Sequence, residues 1–68
     1  MTGIQAACFH AQRMGWELTH IEIVKRNLFD TTHLQEVIIL DVNQSEVYIM
    51  FNIVHANNTY FIEFVLEF

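Results

Sequence analysis

Three runs of strand-forming residues follow one another from Leu34 to Phe68, separated only by short polar turns, and each carries apolar side chains on both parities of its alternation. Successive side chains of a strand point to opposite faces, so a sheet built from these runs is apolar on both sides. A chain of 68 residues with one helical segment can cover only one of those sides. No other feature of the sequence restricts the fold as strongly.

The predicted second, third and fourth strands are Gln35 to Val42, Glu46 to Val54 and Thr59 to Leu66. Asn43-Gln44-Ser45 and His55-Ala56-Asn57-Asn58 are the predicted turns, rich in residues that tolerate turn dihedrals. Antiparallel hairpins with Val42 opposite Ser45 and Val54 opposite Thr59 put Ile38, Leu40, Val47, Ile49, Phe51 and Ile53 on one face. Tyr60, Ile62, Phe64 and Leu66 join them there. A slip of one residue would scatter this set, so the register is well specified. The opposite face receives Val37, Ile39, Tyr48, Met50, Phe61 and Val65, with Asn52 among them and Asp41, Glu46, Glu63 and Glu67 toward the margins. A solvated sheet face should alternate to polar residues, and this one mostly does not.

Upstream, Thr2 is placed to cap a helix running from Ile4 to Met14 and stopped by Gly15. Ile4, Ala7, Cys8, Ala11 and Met14 form one stripe at helical spacing. Its small residues predict a close approach to the sheet, with the Cys8 thiol packed in the core. Trp16 to Lys25 reads as the first strand. Trp16, Leu18, His20, Glu22 and Val24 share one side and Glu17, Thr19, Ile21, Ile23 and Lys25 the other. Neither set is cleanly apolar, which points to a bulge or twist within the strand. Arg26 to His33 is expected to be irregular, with Asp30-Thr31-Thr32 capping a short helical turn. The expected fold is therefore α+β, an N-terminal helix on a four-stranded antiparallel meander, with residues 1–68 forming a single small domain.

Small chains usually need help to stay folded. A disulfide is unavailable with Cys8 as the only cysteine, and no Cys/His spacing suggests a structural zinc. Oligomerisation is the remaining common device. A standard interface buries about 800 Å² per partner, and the expected assembly is a homodimer. The net charge of −5, with Arg13, Lys25 and Arg26 as the only fixed cations, disfavours nucleic acid and anionic membranes as partners. There is no leader-like pattern and no apolar run of membrane-spanning length, so a reducing cytoplasm is the expected location.

The second apolar face is the leading candidate site: Val37, Ile39, Tyr48, Met50, Phe61 and Val65 would form an association surface with an acidic rim. Otherwise the first strand and the 26–33 segment would fold over it as a small barrel-like core. The last strand, ending a meander, should be an edge that needs a partner or closure onto the first strand. Catalytic residues are not indicated. Gly3 and Gly15 are the only glycines, so no phosphate loop exists, and the carboxylates are scattered. His20 and Glu22 share a strand face but lack a third donor, so neither a metal nor a cofactor is expected. The sequence thus reads as a non-catalytic association module. Two other kinds of function fit less of it. One is an acidic inhibitor or decoy, of the type carried by mobile elements, that blocks a basic site on a larger protein. The other is a small-molecule binder with Trp16, His20 and Tyr48 around a pocket between subunits.

Overall fold

The computed structural model describes residues 2–43 and 45–68, apart from the side chain of Leu66. Gln44, expected in a turn, and the Leu66 side chain, expected on the helix-facing side, lie outside the described residues. One helix, α1 (Gly3–Met14), is followed by β1 (Leu18–Leu28), β2 (His33–Val42), β3 (Ser45–Ala56) and β4 (Thr59–Glu67). The strands form one antiparallel sheet in the order β1-β2-β3-β4. This is the expected α+β meander.

The helix starts where a capping box forms. The Thr2 hydroxyl accepts from the Gln5 N–H at 3.1 Å, and the Thr2 N–H donates to Gln5 Oε1 at 2.8 Å. It ends at Gly15, whose φ of 71° lies in the left-handed region that side chains disfavour. Thr2→Ala should cost about 1 kcal/mol, read as an earlier urea midpoint with an unchanged slope.

The face that α1 buries differs from the predicted stripe. Gly3, Ala7 and Ala11 are buried, Ile4 is half-buried, and Cys8 and Met14 are exposed. The Cys8 thiol is therefore not a core group. Gly3 explains the rotation. A Cβ there would collide with the Glu36 carboxylate and lie 3.1 Å from Ile38 Cδ1, so the helix touches the sheet through its smallest residue. A row of Gly3, Ala7 and Ala11 brings the backbones closer than a row containing Cys8.

Beneath the helix lie Ile38, Leu40, Val42, Ile49, Phe51 and Ile53, flanked by the partly buried Leu18, Ile21, Leu34, Val47 and Ile62. Tyr60 and Phe64, expected under the helix, are largely exposed. A helix of twelve residues is about 18 Å long, half the 37 Å extent of the molecule, and it sits over β1 to β3.

Two turns differ from expectation in an informative way. The β3–β4 turn needs only Asn57 and Asn58, with φ of 53° and 60°, so Ala56 pairs with Thr59 and Val54 with Phe61. Two consecutive residues with positive φ make the hairpin turn that matches strand twist. The register moves by two from the expected Val54–Thr59 pairing, which leaves the facing of Thr59 to Phe64 intact, and His55 becomes a strand residue stacked on Tyr60 at 4.6 Å. The β1–β2 connection is shorter than predicted and has no helical turn. Asp30 Oδ1 accepts from the N–H groups of Thr32 at 2.7 Å and His33 at 2.9 Å, closing the hairpin. The Thr32 backbone and hydroxyl bonds, then the bond to His33, hold the Asp30 carboxyl well below the usual carboxylate range.

The mixed facing of β1 resolves into two irregularities, one at Thr19 and one at Val24, where pairing with β2 skips a residue. Strand β1 begins at Leu18; Trp16 precedes it and packs on the helix-side core.

Candidate functional site

The sheet is open. Strands β1 and β4 lie at opposite edges, so neither the first strand nor the 26–33 segment covers the second face, and the last strand does not close onto the first. The two edges differ in chemistry. Edge β1 carries two bulges together with His20, Glu22, Lys25 and Arg26, features that discourage pairing with another strand. Edge β4 runs without a break from Thr59 to Phe64 before one irregularity at Val65. Tyr60, Phe61, Phe64 and Val65 are all exposed along it, as is the neighbouring Phe68. Its charges are Glu63 and Glu67 alone.

The six predicted interface residues divide. Phe61 (56% exposed) and Val65 (43%) stand at the β4 edge. Val37, Tyr48 and Met50 are half-buried, and Ile39 keeps only 7% of its surface. A central-strand side chain is flanked on both sides by cross-strand neighbours: Ile39 lies opposite Glu22 on β1 and Tyr48 on β3. Tyr48 is stacked on Phe68 at 5.6 Å, held by two backbone hydrogen bonds between these residues. The middle of the second face is thus partly shielded by its own side chains. Of the six, only the β4 pair Phe61 and Val65 is exposed.

The irregularity at Val65 has a second effect. It brings Glu67 opposite Ile49, on the helix side, instead of at the margin of the second face. There Glu67 Oε2 lies 3.1 Å from His10 Nε2. The His10 ring stacks on Phe64 at 5.1 Å and meets Trp16 edge-on at 5.3 Å. Helix α1 therefore anchors the end of β4, while Tyr60 and Phe61 stay exposed nearer its start.

Sequence reasoning missed one buried charge. Glu36 is 3% exposed, faces the helix, and accepts on Oε2 from Arg26 Nη2 at 2.7 Å and Nε at 3.1 Å. The signal was present: Leu34, Glu36, Ile38 and Leu40 share one parity, so a carboxylate interrupts an otherwise apolar row. The pair borders a cleft of about 450 Å³ at the start of α1, floored by Leu34 and Ile53.

The other candidate residues do not converge. Trp16 is on the helix side, whereas His20 and Tyr48 are on the opposite face, and the cleft at the start of α1 is lined by none of the three. His20 Nε2 and Glu22 Oε2 are 3.9 Å apart on the exposed surface. Among the described residues no group of three or more His, Cys, Asp or Glu side chains is placed to hold a metal ion. Their helix is not long and apolar enough to cross a membrane. The carboxylates are dispersed: Asp30 at a hairpin tip, Glu36 under the helix, Asp41 opposite Glu46, and Glu63 and Glu67 on different faces of β4.

Comparison with known protein families, curated proteins and solved structures finds no match to this chain.

Proposed function

We propose that this protein is a non-catalytic association module that self-associates through β4 and the apolar side chains flanking it, most simply as a homodimer. One observation carries the proposal: of the two open edges, only β4 is both apolar and free of bulges over six residues. An unpaired edge presents a row of N–H and C=O groups, and a row flanked by exposed aromatic side chains favours pairing with a second strand. Burying about 800 Å² per copy, as a standard interface does, would remove about a sixth of the 4715 Å² accessible surface. The dispersed carboxylates favour this function over that of an acidic decoy, and the separation of Trp16 from His20 and Tyr48 favours it over a small-molecule binder. An exposed, solitary thiol at Cys8 suits a reducing compartment such as the cytoplasm.

Size-exclusion chromatography with light scattering tests the proposal. The expected mass at high micromolar concentration is twice the 8.0 kDa of one chain, and a strict monomer overturns it. Phe61→Asp should raise the dimer dissociation constant by about 30-fold or more, the range of a central aromatic anchor. The far-UV circular dichroism of the variant should be unchanged, because Phe61 lies outside the helix-side core.

A further inference from the structure

We infer that the second copy pairs antiparallel with β4 about a two-fold axis at Ile62, which presupposes the self-association proposed above and specifies its register. The bulge-free stretch of the strand, Thr59 to Phe64, is the part able to extend a regular ladder. On the helix side it displays Tyr60, Ile62 and Phe64, with Phe61 and Glu63 on the other face. Directly opposed residues of an antiparallel pair share a face and interact most strongly. An axis at Ile62 sets Tyr60 of each copy against the partner's Phe64, giving two aromatic cross-strand pairs, and sets Phe61 against the partner's Glu63.

The neighbouring registers are worse: an axis between Ile62 and Glu63 opposes Ile62 to the partner's Glu63 and puts the two helices on opposite sides. An axis at Glu63 opposes that carboxylate to its own copy, a destabilising like-charge pair. An axis at Phe61 carries Phe64 past the strand to Asn58, which lies in the turn. An axis between Phe61 and Ile62 sets Tyr60 against the partner's Glu63 and puts the two helices on opposite sides of the joined sheet. With the axis at Ile62 both helices lie on one side, separated by a strip of Tyr60, Ile62 and Phe64 from the two copies, and the second face continues unbroken across eight strands.

Site-directed crosslinking distinguishes these registers. In a Cys8→Ser background, Ile62→Cys should form an interchain disulfide on mild oxidation, since directly opposed residues have Cα atoms about 4.5–5.5 Å apart. Glu63→Cys should crosslink at least tenfold more slowly, because the same axis separates its two copies by more than about 7 Å, beyond disulfide reach. If Ile62→Cys fails to fold, Tyr60→Cys combined with Phe64→Cys replaces it and should give a doubly linked dimer. Within one strand those two positions are about 13 Å apart, so they cannot bridge internally. A dimer in solution in which Glu63→Cys crosslinks faster than Ile62→Cys overturns the register and leaves self-association standing. A monomeric Cys8→Ser protein in light scattering overturns both.

Discussion

Leu40→Ala is expected to lower the unfolding free energy by about 2–5 kcal/mol, the usual range for truncating a fully buried leucine. Leu40 is fully buried on the central strand β2, between Ile21 of β1 and Val47 of β3, in the layer covered by the helix. A chain of 68 residues has a total stability of roughly 3–10 kcal/mol at the usual per-residue scale. One truncation therefore removes a large share of it. The melting temperature should fall by about 4–8 °C for each kcal/mol lost. Urea denaturation at a fixed protein concentration is the appropriate measurement, because the proposed association would contribute to apparent stability. Leu28→Ala serves as the control: Leu28 is exposed near a hairpin, and its truncation should change stability by less than about 0.5 kcal/mol. Equal effects at the two positions would mean that the helix–sheet layer is not where the fold is held.

The second large effect concerns Arg26 and Glu36. Arg26→Ala should destabilise by about 1–3 kcal/mol, less than the 3–5 kcal/mol typical of a fully buried pair, because the Arg26 side chain is itself half open to water. The loss comes from stranding the Glu36 carboxylate beneath α1 with no cation beside it. Glu36→Met should be close to neutral, since an apolar side chain of similar volume suits the row between Leu34 and Ile38 and removes the desolvation cost. The ordering of the two variants decides the matter. If Glu36→Met costs more than Arg26→Ala, the carboxylate holds α1 in place by more than its pairing with Arg26. Both variants should leave the proposed self-association through β4 unchanged, because the pair is at the β1 end of the sheet.

Much of this architecture was legible from residue order. Alternation identified the sheet and its two faces, and an error of two residues in the β3–β4 register did no harm because facing has a period of two. The doubtful facing of the first strand corresponds to Thr19 and Val24, where the ladder skips. Other features were not legible. Cys8 and Gly3 both occupy positions compatible with a buried stripe, and only the close approach over Glu36 and Ile38 selects Gly3. In sequence Asn57-Asn58 is indistinguishable from a four-residue turn, because strand formers and turn formers overlap at His55 and Ala56. The excess apolar surface was legible in kind, but not the exposure of each residue in it. Val37, Ile39, Tyr48 and Met50 are shielded by neighbours that sequence spacing does not reveal, and Phe61 and Val65 are not.

Local chemistry alone settled the cap at Thr2, the stop at Gly15 and the strand alternation, because each depends on dihedral preference or on side chains a few residues apart. Tertiary packing decided which helical row meets the sheet, that the sheet stays open, and that Glu36 is buried against Arg26. It also decided that β4, and not β1, is the unprotected edge. Those outcomes depend on how far a twelve-residue helix reaches across four twisted strands and on which ladder absorbs an extra residue. Distances of that kind arise only once the layers have met.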